Sequence, residues 1–298
     1  MTASGRILLA LASGALYALA EPPHDLAALG FVALVPLLLA AFGARSTWGA
    51  LGLGWIAGTA AATLLVASSV AEAAARYFGA SPASAWIAGA LAPQLYAAPY
   101  FAVFAALARA IAGRRASPVA AALGVAAAWV GCELARSRIG DGCPWVLLAH
   151  SQHADPRWLQ LAELGGTAAV SFVLALVSSA VALGLVAARD GADRRVHDLV
   201  RLAALLVIVL GAALLYGRAR LAHWSSVDAP TVRVAVVQPN LPDEWRLSLA
   251  RVHDAIALAS ELTRATGDPE PALVVWPENA ISVAPGALRM LAQAEPVV

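Results

Sequence analysis

Residues 166–188 read GTAAVSFVLALVSSAVALGLVAA. The stretch is 23 residues long and carries no charge. An apolar run of roughly 17–25 residues is what a helix needs to cross a hydrocarbon layer ~30 Å thick. Working outward, six further apolar runs of helical length occupy 6–20, 26–42, 47–70, 83–108, 118–135 and 199–217. The connectors between them hold the charges and the breakers: Glu21-Pro-Pro-His-Asp25, then 43–45, 72–82, 109–118, 136–166 and 189–197. The expected architecture is therefore an α-helical multi-pass membrane domain with about seven spans, residues 1–222.

Composition agrees. The chain is 60% hydrophobic and 13% charged, with mean hydropathy +0.73, whereas soluble domains run near 45–50% apolar and about 25% charged. Net charge is +1, so no basic patch points to nucleic acid. The run 6–20 has the outline of a signal peptide, but Glu21-Pro22-Pro23 offers no small-residue cleavage site. We read it as the first, short span. All 20 cationic side chains are arginine; there is no lysine. With the N-terminus placed inside, nine arginines fall on the inner side (6, 45, 109, 114, 115, 189, 194, 195, 201) and six on the outer side (76, 136, 138, 157, 218, 220). The positive-inside rule favours that orientation. Seven spans then deliver everything after residue 222 to the outer face.

After a polar linker, 223–230, the pattern changes. Val232-Arg-Val-Ala-Val-Val237 reads as a buried strand, 243–266 as a helix with Leu249, Val252, Ile256 and Ala259 on one face, and 273–276 as a second strand. A further helix is expected over 285–294 and a third strand at 295–298. Strand, helix, strand implies a parallel sheet covered on both faces. An α/β part with two strands and the entry to a third is small for a separate core. Residues 231–298 are accordingly expected to be the opening portion of a larger domain, so that the chain reads as truncated.

The stretch 272–280, ALVVWPENA, ends the second strand in a carboxylate, Glu278. Ligand chemistry in open α/β sheets gathers at the carboxyl ends of strands, and burial would raise the pKa of such a group towards that of a general base. The plainer reading is a loop glutamate capping the next turn. Trp245 is either a lid aromatic at the lipid boundary or ordinary packing at a helix start. Glu133 and Arg136 lie three apart on the fifth span, which permits an ion pair. Arg136 either completes that pair or meets a lipid phosphate. Glu72 and Arg76 form a candidate exposed pair. His150 and His153 have no evident third ligand, and Cys132 and Cys143 form no C-x-x-C motif, so neither set makes a metal site. Pro144 and Trp145 suit an interfacial turn in an unusually apolar outer loop. A transporter is disfavoured because the spans lack discontinuous pairs.

Taken in order, several of these pieces resemble one family. They are Glu21-Pro-Pro-His-Asp-Leu26, Phe31-Val-Ala-Leu-Val-Pro-Leu37, Glu133-Leu-Ala-Arg136, Gly142-Cys-Pro-Trp145, Ser151-Gln152, Leu161-Ala-Glu-Leu-Gly165, Val234-Ala-Val-Val-Gln-Pro-Asn240, Trp245 and Val275-Trp-Pro-Glu278. The chain resembles the apolipoprotein N-acyltransferases of the bacterial inner membrane. The resemblance implies a membrane domain followed by a periplasmic nitrilase-like α-β-β-α domain with a Glu–Lys–Cys triad. It makes Glu278 the glutamate and Trp245 a tryptophan needed for activity. Arg136 becomes a candidate headgroup contact. The implied partners are a phospholipid acyl donor, an apolipoprotein acceptor and the bilayer, with no cofactor. The implied reaction passes an acyl chain through a cysteine thioester to the amine of a diacylglyceryl-cysteine. The family's lysine and cysteine have no match here: Cys132 and Cys143 belong to the membrane domain, and Cys143 stands where the family usually has an aromatic. This departure makes the chain as given an inactive form, and it keeps open a rival class, a non-catalytic multi-pass protein that binds lipid or lipoprotein.

Overall fold

The computed structural model describes residues 1–114, 117–140, 142–188, 192–228, 230–241, 251–267 and 270–278. It separates into two compact units, Met1–Ser226 and Val227–Val298.

The first unit is helical. Its elements are α1 (Ala3–Ala20), a 3₁₀ turn (Ala27–Phe31), α2 (Val35–Phe42), α3 (Thr47–Phe78), α4 (Pro82–Tyr96), α5 (Ala98–Ala112) and α6 (Pro118–Arg136). A second 3₁₀ turn (Leu148–Gln152), α7 (Pro156–Leu159), α8 (Ala162–Ala187) and α9 (Ala192–Ser226) follow. Ser46 and Ser117 cap α3 and α6 by accepting from Gly49 N and Ala120 N, which satisfies amide groups that a helix start leaves orphaned. Among the described residues, six helices are long and apolar enough to cross a membrane, with α4 and α5 together making one of them. This is a multi-pass membrane domain.

The second expected span, 26–42, differs. It is a 3₁₀ turn and a two-turn helix, because Pro36, in the first turn of α2, has no backbone N–H to carry one continuous ladder through. It nevertheless returns along the bundle. Gln152 Nε2 donates to Ala27 O at 2.8 Å at its start. Arg6 Nη1 donates to Gly43 O at 3.1 Å at its finish. Arg109 Nε donates to Ala44 O at 3.1 Å at the same end. Arg6, Arg45 and Arg109, sorted to one side by sequence, thus share one end of the bundle. The helix α9 runs through Ser226, four residues into the stretch expected to be linker.

Small residues let the helices approach closely. A Cβ on Gly54 of α3 would meet the backbone oxygen of Phe101 on α5, so the two backbones touch there. Gly54→Val is expected to cost about 3 kcal/mol through overpacking, read as a lowered melting temperature of the protein in detergent. The core adds an aromatic cluster, with Trp129 edge-on to Phe101 and Phe104 and tilted against Tyr17. By contrast α9 presents Val207, Ile208 and Leu215 outward, each more than 60% exposed, as a lipid-facing helix does.

In the second unit β1 (Val234–Val236) pairs in parallel with β2 (Leu273–Val275), in register Val234↔Leu273, around α10 (Val252–Arg264). The β-α-β reading holds. The expectation of two buried strands does not: Val234, Val236, Leu273 and Val275 are all exposed. The reason is that α10 covers only one face, burying Val252, Ala255 and Ala259, with Trp276 Nε1 bonded to Thr263 Oγ1 at 3.0 Å. The helix expected at 285–294, the strand at 295–298 and Trp245 lie outside the described residues.

Candidate functional site

The first unit contains an apolar groove of about 490 Å³. On α3 it is lined by Ala61, Leu65, Val66, Ser69, Val70 and Ala73. From Ala61 to Ala73 is twelve residue steps of helix, or about 18 Å at 1.5 Å per residue, and comparable with the hydrocarbon depth of one leaflet, about half of ~30 Å. Tyr17 and Phe101 line another side, and Tyr96, Cys143, Trp145 and Val146 a third. The walls are almost wholly carbon. The charged side chain of the lining is Arg136.

Arg136 is 6% exposed. The ion pair with Glu133 that their spacing permits is not formed among the described residues, because each side chain turns instead to the loop that follows α6. Arg136 Nη2 donates to Val146 O at 2.9 Å, and Glu133 Oε1 accepts from Leu148 N at 2.7 Å. A buried guanidinium without a carboxylate at ion-pair distance invites an anion. Around it sits a polar cluster that sequence reasoning did not assemble. Tyr17 Oη donates to Val146 O at 2.8 Å, Ala149 N donates to Ser171 Oγ at 3.1 Å, and Glu21 is 2% exposed. The one sequence signal for these residues was polarity at isolated positions within apolar spans. Burial pushes the Glu21 carboxyl up to about 9, with the Glu133 charge adding to the shift, so Glu21 is neutral at pH 7.

His150 Nδ1 accepts from Leu147 N at 3.3 Å. Burial first, then the Arg136 charge, lowers its pKa, which keeps the ring neutral and able to accept. His153 Nε2 lies 3.7 Å from Asp25 Oδ1. The two histidines are thus used separately, and among the described residues no group of three metal-binding side chains assembles. Cys132 is buried and Cys143 half-buried, and both are free thiols. Glu72 and Arg76 form the exposed pair expected of them, at 3.1 Å.

In the second unit Glu278 follows β2 and Trp276-Pro277 in a turn and is exposed. The burial expected of it is absent among the described residues.

Residues 13–180 match the family model described as the apolipoprotein N-acyltransferase N-terminal domain. The chain belongs to the apolipoprotein N-acyltransferase family. Curated relatives carrying that name include one from Geobacter metallireducens, 31% identical over 92% of this chain and 51% of the relative. Another is from Pseudomonas syringae pv. tomato, 32% identical over 95% and 54%. A third, from Azotobacter vinelandii, is 34% identical over 93% and 51%. The chain spans about half the length of the curated relatives it matches. The matched 13–180 region contains Tyr17, Glu21, Glu133, Arg136, Ser171 and the whole lining of the groove.

Proposed function

We propose that this member of the apolipoprotein N-acyltransferase family serves transfer of an acyl chain from a phospholipid to the N-terminal amine of a diacylglyceryl-cysteine. The observation that carries the reading is a leaflet-length apolar groove with a buried arginine in its wall that makes no ion pair among the described residues. The groove takes an acyl chain, and Arg136 meets the phosphate of the headgroup. The second unit belongs to a nitrilase-like α-β-β-α domain, supported by its parallel β-α-β unit. Glu278 is the general base at the carboxyl end of β2, and Trp245 a lid or acyl contact.

In the first half-reaction the family's thiol, deprotonated by Glu278, attacks the ester carbonyl. The carbon–oxygen bond to glycerol breaks, and the lysophospholipid leaves with the proton. In the second half the acceptor amine attacks the thioester, the carbon–sulfur bond breaks, and the amine proton returns by way of Glu278 to the thiolate. We assign the thiol role to neither Cys132, buried in α6, nor Cys143, on the loop after it. No cofactor enters this scheme. Six membrane-length helices, the shorter return of 27–42 and the sorting of arginines support an inner-membrane protein with its second unit on the periplasmic face. A second reading is lipid or lipoprotein binding without transfer, and the exposure of Glu278 favours it.

The test uses membranes containing the intact gene product, acyl-labelled phosphatidylethanolamine and a diacylglyceryl-cysteine peptide. Label is expected to reach the peptide amine. Val66→Trp, which fills the groove, is expected to cut transfer at least tenfold. Lipid binding without transfer selects the second reading. Neither binding nor transfer removes both.

A further inference from the structure

The loop after α6 is held in an unusual way. Four of its backbone groups between Cys143 and Ala149 are held by side chains from four different helices. Tyr96 Oη of α4 donates to Cys143 O at 2.8 Å. Tyr17 of α1 and Arg136 of α6 both donate to Val146 O. Glu133 of α6 accepts from Leu148 N, and Ser171 of α8 accepts from Ala149 N. The residue that takes two donors on its carbonyl is also the strained one. Val146 has φ +53°, a left-handed conformation that is a genuine outlier for a β-branched side chain. Such strain persists where the surroundings over-determine it, and it concentrates at binding sites.

Three neighbouring residues of the loop, Cys143, Trp145 and Val146, line the groove. Buried acids in a membrane domain are costly and tend to be kept for a purpose. Here the 6%-exposed Glu133 spends an oxygen on a loop amide rather than on the arginine one turn away. We infer that Tyr17, Glu133 and Ser171 are positioning residues that hold the 143–149 loop as a fixed wall of the groove and so set the groove's width. The inference rests on the acyl-groove reading only for what the wall encloses.

Cys143 makes the wall measurable, since it sits on the loop while Cys132 is buried. The experiment is the rate of Cys143 labelling by a hydrophilic maleimide in the intact protein in nanodiscs, with Cys143→Ser giving the background. Tyr17→Phe and Ser171→Ala each delete one partner and are expected to raise the rate about tenfold, the scale of one lost buried hydrogen bond. Glu133→Leu is expected to raise it further. Glu133→Gln, which keeps an acceptor oxygen, is expected to stay near the wild-type rate. A merely structural role for the charge would make Gln and Leu alike, and that result overturns the inference. Wild-type rates in both Tyr17→Phe and Ser171→Ala overturn it too, and these two variants carry the test should Glu133→Leu fail to accumulate.

A separate arm compares nanodiscs with and without phosphatidylethanolamine. Slower labelling of the wild type and of Glu133→Gln, but not of Tyr17→Phe, in the presence of that lipid ties the wall to lipid binding. If the variants label fast but the lipid changes nothing, the clamp stands and the acyl-groove reading falls.

Discussion

Glu278→Gln is expected to lower acyl transfer by a factor on the order of 10²–10⁴, the usual worth of a positioned general base. The substitution keeps volume and hydrogen-bonding shape and removes only the ability to take a proton. Its effect therefore belongs in kcat, with the KM for phospholipid nearly unchanged, because a neutral isostere keeps the ground-state contacts of the carboxylate and loses only its basicity. The pattern is that of an interaction made in the transition state alone. The measurement is initial-rate transfer from labelled phosphatidylethanolamine by the intact gene product, together with trapping of the thioester in a single turnover. Loss of the thioester burst places the role in the first half-reaction. Equal rates in mutant and wild type would sink the assignment and return Glu278 to the status of a turn residue. The exposure of Glu278 sharpens the test. Since Glu278 is exposed among the described residues, its proposed value lies in its place at the strand end rather than in a desolvated environment.

How much of this was legible beforehand varied with the physics involved. The long spans were legible because hydrocarbon thickness fixes helix length, and 166–188 opens where Gly165 and Gly166 leave helical dihedrals. The segment 26–42 was misread as one helix. Apolar content is the same for a continuous helix and for a 3₁₀ turn followed by α2, and only packing against Gln152 and Arg6 shows where it begins and ends. Helical spacing placed Glu133 beside Arg136, but unsatisfied groups on the next loop outbid that neighbour, and a loop's need for partners is invisible to an i,i+3 rule. The strands were legible as strands. Their exposure was not, since which faces of a sheet are covered depends on elements distant in the chain. Arg136 was found for its charge. Tyr17 and Ser171 were missed, because one hydroxyl in an apolar helix looks the same whether it bonds its own turn or reaches a loop far along the chain, here 129 residues away for Tyr17.

Glu21 gives the second large effect, and it is one of stability against pH. Its side chain is 2% exposed and Oε1 has no hydrogen-bond partner among the described residues. Burial raises its pKa from an ordinary 4.5 to about 9. The groups facing it reinforce or oppose this: Glu133 and Asp25 raise the pKa, while Arg136 and the Ser151 backbone lower it. The folded state therefore holds a proton that the unfolded chain has released between pH 4.5 and 9. The sign follows: the stabilisation is fully present below about 4.5 and is lost progressively as pH rises through 9. The slope approaches 1.4 kcal/mol per pH unit across that window, which sums to several kcal/mol. Wild-type protein in nanodiscs should accordingly melt at falling temperature from pH 5 to pH 9. Glu21→Gln, a permanent copy of the neutral acid, should match the wild type near pH 4.5 and exceed it increasingly from about pH 5 upward. Parallel melting curves for the two proteins across that range would mean that Glu21 is ionised in the fold, and that Arg136 rather than burial governs its charge. In that case the arginine would already have its anion, and the case for a phosphate beside the groove would lose its main support.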